Sequence, residues 1–140
     1  MFIGRVIGQL LPLDHSMYPT NFKIICAGSA MIDSIGYSNN QINVGDDVPG
    51  NIKTSVGGVA FNICKQLVLA GLIDVELLTA LGNDTKGRVI LDTCRELGII
   101  TDNIHVCNNS ETDSYLAIED AQGLKAVSYT HLRAHETQTH

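Results

Sequence analysis

The chain has no excess of positive charge. Nine lysines and arginines stand against fifteen aspartates and glutamates, a net charge of −6, and the isoelectric point is near 5.1. That balance excludes a basic nucleic-acid-binding surface. No apolar run approaches the roughly 20 residues a helix needs to cross a bilayer. Near the start, Arg5 is followed by Val6-Ile-Gly-Gln-Leu-Leu, but Gln9 interrupts the run and no small-residue cleavage site follows. No signal peptide is read there. Cys26, Cys64, Cys94 and Cys107 include no Cys-x-x-Cys pair, which excludes a closely spaced zinc or redox motif. They fall in strand and helix patterns and read as reduced thiols used as small hydrophobes, in keeping with a cytoplasmic protein. No Gly-x-Gly-x-x-Gly lies between the first strand and a helix, which argues against a Rossmann-type nucleotide-binding module. No internal repeat is visible.

What is present is a foldable chain. Its 140 residues are 44% hydrophobic and 17% charged, enough for one domain with a real core. Residues 1–21, with Pro12 and Pro19, read as an irregular N-terminal extension. Phe22-Lys-Ile-Ile-Cys-Ala-Gly is a short apolar run suited to a parallel strand buried on both faces. The stretch Ala27-Gly-Ser-Ala-Met-Ile-Asp33 continues it, so a buried strand is expected to end on an acid. Ser38–Gly50 is polar and turn-rich. Asn51-Ile-Lys-Thr-Ser-Val alternates like a half-exposed strand. The spacing predicts a helix over Asn62–Ala70, with Ile63, Leu67 and Ala70 on one face and Cys64 and Val68 beside them. Gly71 stops it.

Asp74–Leu81 reads as the next strand. Asp84 or Thr85 can cap a second helix whose apolar stripe is Val89, Ile90, Thr93, Cys94 and Leu97, ended by Gly98. Ile104-His-Val-Cys is a third short strand, and residues 114–127 read as a hairpin turning at Gly123. Alternating strands and helices imply right-handed crossovers and a parallel sheet. The strands at 51–56 and 114–127 alternate too strongly to lie inside it.

The most informative stretch is Ser55-Val-Gly-Gly-Val-Ala-Phe-Asn62. A glycine pair ends an extended segment just before a helix, where backbone can approach a ligand closely and free N–H groups can meet a polar group. Asp33 lies upstream, beyond the carboxyl end of the first strand, where open α/β sheets place ligands. Downstream, Leu81-Gly-Asn-Asp-Thr-Lys-Gly87 opens the second helix. A carboxylate can accept hydrogen bonds from two neighbouring hydroxyls at once.

The order of these elements, an acid after the first strand, then Gly-Gly-x-x-x-Asn, then Gly-x-Asp-x-x-Gly, resembles the ribokinase or phosphofructokinase-B family of carbohydrate kinases. The resemblance spans Lys23 to Val127. It implies a ribokinase-like α/β/α sandwich with a small β lid made by the alternating strands. It also implies a sugar site built from Asp33, Gly57, Gly58 and Asn62, and a structural role for Gly82, Asp84 and Gly87. Ile-Lys-Thr-Ser-Val-Gly-Gly-Val, Leu-Leu-Thr-Ala-Leu-Gly-Asn-Asp and Ser-Tyr-Leu-Ala-Ile-Glu-Asp-Ala-Gln-Gly are similar to the pseudouridine kinases within that family. Ribokinases usually carry lysine after the glycine pair; Val59 stands here, which counts against ribose.

The family's second signature, a Gly-Ala-Gly-Asp-like turn with the catalytic aspartate, does not occur in the chain, nor does its Asn-x-x-Glu magnesium motif. Phosphoryl transfer depends on such positioning and charge stabilisation. No catalytic or metal residue is therefore assigned. The expectation is the substrate-binding N-terminal part, residues 22–127, of a Mg-ATP-dependent kinase acting on the 5′-hydroxyl of pseudouridine. The fragment itself is expected to be inactive and to hold no cofactor, and the intact parent to form a homodimer through the lid. A non-catalytic sugar-binding or interaction domain is the alternative. Residues 128–140 resemble the translation of a sequencing adapter and are read as a non-native tail. Their His131 and His135 have helical metal-ligand spacing but are set aside with the tail.

Overall fold

The computed structural model describes Ile3–Val6, Gln9–Pro12 and residues 22–130. The His131 and His135 pair lies outside the described residues. β1 (Ile3–Val6) and β2 (Gln9–Pro12) form an antiparallel ladder from Ile3↔Pro12 to Val6↔Gln9. The N-terminal segment is thus not wholly irregular: Gly8 separates two short apolar runs that can pair as a hairpin.

The remaining elements, in order, are β3 (Ile24–Ala27), β4 (Met31–Ser38), β5 (Asn51–Gly57), α1 (Val59–Leu69), β6 (Val75–Leu78), β7 (Ala80–Gly82), α2 (Thr85–Leu97), β8 (His105–Cys107), β9 (Ser114–Asp120) and β10 (Gly123–Thr130). β3 runs parallel to β6, with Ile24↔Val75 and Ala27↔Leu78 in register. β7 runs parallel to β8 through Ala80↔His105. The backbone at Ile100 accepts from Leu77 N–H at 3.1 Å and donates to Val75 O at 2.8 Å, which extends this parallel layer. The expected strand Asp74–Leu81 is in fact two. At Thr79 the chain changes partners, and its carbonyl accepts from His105 N–H at 2.9 Å.

α1 packs against β3 and β6, and α2 against β7 and β4. Phe61, Cys64, Val75, Leu77, Leu81, Ile90, Cys94 and Ile99 form one buried cluster with Ala30, Ile32 and Ala60. Burying Phe61 completely stabilises the fold by roughly 1.5–3 kcal/mol. α1 starts three residues before the expected position, and its buried stripe is Ala60, Phe61 and Cys64 with Leu67 and Val68. Ile63 is 48% exposed. The expected face omitted Phe61, the largest apolar side chain of the helix, and so was rotated away from the core. In α2, Ile90 and Cys94 are buried as expected, whereas Val89 is exposed. The four cysteines are free thiols. Burial pushes the Cys64 thiol up to about 12, helped by Cys26 beside it, and the Cys94 thiol to about 11.

One acid sits inside this layer. Glu76 is fully buried, and its carboxylate accepts from Lys23 Nζ at 2.8 Å and from Asn103 Nδ2 at 2.6 Å. These hydrogen bonds, led by that from Lys23, outweigh burial and hold it below the usual glutamate range.

The second layer is a four-stranded sheet in the order β10-β9-β4-β5. β9 and β10 form the expected antiparallel hairpin, which extends past Val127 to Thr130↔Ser114. β5 pairs antiparallel with β4, and β4 pairs parallel with β9. β4 departs from the expectation. The expected strand ending at Asp33 stops at Ala27; Gly28, with φ +150°, breaks it, and a new strand begins at Met31.

Candidate functional site

β4 and β5 set the site. Met31 pairs with Gly57 and Asp33 with Ser55, so Asp33 and Gly57 lie diagonally on one face of the sheet. Asp33 is therefore the third residue of a second-layer strand, not the last residue of a core strand. Its carboxylate fills the space a side chain at position 57 would need: a Cβ built on Gly57 falls 2.6 Å from Asp33 Cγ. Burial raises the Asp33 carboxyl above its ordinary value, which disfavours the charged form until a partner arrives.

Gly58 serves a different purpose. It precedes α1 with φ +99°, and a Cβ there would fall 2.5 Å from Ser29 O and 2.8 Å from Ala30 Cα. Only glycine combines that backbone angle with so close an approach. Because Gly58 has no capping side chain, Ser29 supplies one. Its hydroxyl accepts from Val59 N–H at 3.0 Å and its carbonyl from Phe61 N–H at 3.3 Å. The helix start is thus less open to a ligand than expected, because Ser29 takes two of its amides. Ser29 was not foreseen, since only the fold of Gly28–Ala30 against α1 makes it a cap. Asn62 lies one turn into α1, its amide bonded to Gly58 O at 2.9 Å and its side chain exposed. Asp33, Gly57 and Gly58 converge, and Asn62 stands just beyond them along the helix.

The second glycine motif forms a knot. Asp84 is the N-cap of α2, and its carboxylate accepts from Gly87 N–H at 2.8 Å. It also accepts from Thr112 N–H at 2.8 Å and from the Thr112 hydroxyl at 2.7 Å. The Thr112 oxygen accepts in turn from Gly82 N–H at 2.9 Å. Burial pushes the Asp84 carboxyl up, but these donors outweigh it and leave it below the usual aspartate range. Thr112 is fully buried two residues before β9. Asp113 O accepts from Ile32 N–H at 3.0 Å, beside Asp33. The motif thus caps α2, as expected, and also anchors the second sheet next to the acid. Thr112 carries no local signal in the sequence that could have revealed this.

Among the described residues, no group of three or more His, Cys, Asp or Glu side chains is placed to hold a metal ion. Magnesium with a nucleotide is usually held by one or two carboxylates together with the phosphates, and no step through Mg-ATP is assigned to the described residues. No helix among the described residues is long and apolar enough to cross a membrane.

The profile described as pfkB family carbohydrate kinase matches residues 21–140. The chain belongs to that family. It is 37% identical over 105 residues to the pseudouridine kinase of Escherichia coli (strain K12), a match covering 75% of this chain and 33% of that protein. The carbohydrate kinase from Agrobacterium tumefaciens superposes with a TM-score of 0.68 and 28% identity over 77% of this chain and 35% of the other. A ribokinase from Cryptococcus neoformans var. grubii shares the fold at a TM-score of 0.65 with 21% identity, over 79% and 35% of the two chains. The chain spans about a third of the length of these proteins. The fold is the ribokinase-like one, and the β10-β9-β4-β5 sheet takes the place of the expected lid.

Proposed function

We propose that residues 22–127 are the substrate-binding part of an ATP-dependent kinase that phosphorylates the 5′-hydroxyl of pseudouridine. In this reading residues 1–21 are an extension and residues 128–140 a non-native tail. Asp33 grips two ribose hydroxyls, the bare backbone at Gly57 and Gly58 lets the sugar lie close, and Asn62 supplies a further polar contact from α1. The observation that carries the reading is the Asp33 carboxylate held over Gly57 at the start of α1. The 37% identity to a pseudouridine kinase supports the substrate.

Residues outside these 140 supply the catalytic base and the magnesium-nucleotide site, so the chain alone does not transfer phosphate. The four free thiols suit a cytoplasmic enzyme. The exposed Ile52, Leu116 and Ile118 of the lid offer an apolar face through which the intact parent forms a homodimer. ADP release from the intact parent with pseudouridine, adenosine, ribose and fructose 6-phosphate tests the assignment. Pseudouridine is expected to give the highest kcat/KM. A clear preference for the phosphorylated hexose contradicts the nucleoside reading.

A further inference from the structure

We infer that Tyr115 selects a nucleoside over a free sugar, its ring lying against the base of the bound substrate. The inference rests on the reading of Asp33 as the carboxylate that holds the ribose. Tyr115 is the direct register partner of Asp33 in the parallel ladder between β9 and β4. Register partners project from the same face of a sheet, and neighbouring strands lie about 4.8 Å apart. Ser55 flanks Asp33 on its other side, in β5. Across this face the order is therefore hydroxyl, carboxylate, aromatic ring.

A ribose held by Asp33 through its vicinal hydroxyls carries its base on the carbon next to one of them. The base therefore lies within about one strand spacing of the carboxylate. On one side that spacing leads to small, polar Ser55; on the other it leads to Tyr115, which is half-buried and has a ring to stack on. The adjacent Leu116 projects from the opposite face, since side chains alternate along a strand. A free pentose ends short of Tyr115 and gains nothing from it.

The test is calorimetric titration of the intact kinase with pseudouridine and, separately, with ribose. In Tyr115→Ala the ratio of the pseudouridine Kd to the ribose Kd is expected to rise roughly tenfold, the typical effect of losing one base-stacking ring. Tyr115→Leu keeps apolar volume in β9, guards against a failure of Tyr115→Ala to fold, and is expected to show the same rise. Tyr115→Phe keeps the ring and should hold the ratio within about twofold. A lowered melting temperature with an unchanged ratio in both Tyr115→Ala and Tyr115→Leu would make Tyr115 a packing partner of Tyr129, its register neighbour in β10, and overturn the inference. A wild-type enzyme that binds ribose more tightly than pseudouridine would overturn the nucleoside reading itself, a distinguishable failure.

Discussion

The carboxylate of Asp33 stands where the side chain of residue 57 would be, so the acid and the glycine occupy one space between them. The neighbouring Gly58 is constrained instead by its φ of +99° and by the Ser29 backbone 2.5 Å from a Cβ position. Alanine at the two positions should fail differently. Gly57→Ala displaces a short side chain rather than backbone, costs about 1 kcal/mol of stability, and weakens sugar binding roughly tenfold or more by moving the acceptor. Gly58→Ala forces a strained backbone against a carbonyl and should cost more than about 2 kcal/mol. Thermal melts and sugar titrations of both variants check this. Equal melting temperatures and equal affinities would contradict it.

Asp84 should prove to be more than a helix cap. Asparagine caps as well as aspartate, so Asp84→Asn spares the cap and tests the bonds from Thr112. The expected loss is about 1–2 kcal/mol at pH 7. Because the folded-state pKa of Asp84 is depressed, its contribution is present above the unfolded value. It is lost as pH falls through the ordinary aspartate range toward the folded value. The stability gap between wild type and Asp84→Asn should therefore shrink on acidification. Denaturation at pH 7 and at pH 3 measures it, and a gap that widens at low pH contradicts the arrangement.

Lys23→Met should strand the Glu76 carboxylate in the parallel layer with Asn103 as its remaining partner. The glutamate is held below its usual range by the Lys23 hydrogen bond before all else, so the pair stabilises above the unfolded glutamate value. That contribution fades as pH falls. The variant is expected to melt well below wild type at pH 7 and closer to it near pH 4. Identical melting curves at pH 7 would show that the pair contributes nothing.

The parallel layer was legible because apolar runs alternating with 3.6-periodic segments carry their own signal, and Asp84 and Gly98 mark the ends of α2 as their chemistry requires. β4 was not legible. Met31–Ser38 mixes Ile32 and Ile35 with Asp33, Ser34 and Gly36 because most of the strand is half-buried on both faces, with Ile32 and Ser38 buried and Tyr37 exposed, so no clean alternation survives. Asp33 stands out in the sequence by its place in the motif order, while the strand that carries it has no such signal. Ser29 and Thr112 act through contacts such as Val59 and Asp84, 30 and 28 residues distant in sequence, and no local pattern encodes those.

The central claim is that Asp33 holds the sugar, and Asp33→Ala beside Asp84→Ala in the intact kinase tests it most directly. Asp33→Ala removes a charged acceptor for two hydroxyls, each bond worth roughly 1.5–3 kcal/mol, so the pseudouridine KM should rise about a hundredfold or more. Asp84→Ala should lower the melting temperature and leave that KM within a few-fold of wild type, because its bonds anchor the lid without touching substrate. An Asp33→Ala enzyme with unchanged KM and unchanged turnover would contradict the account.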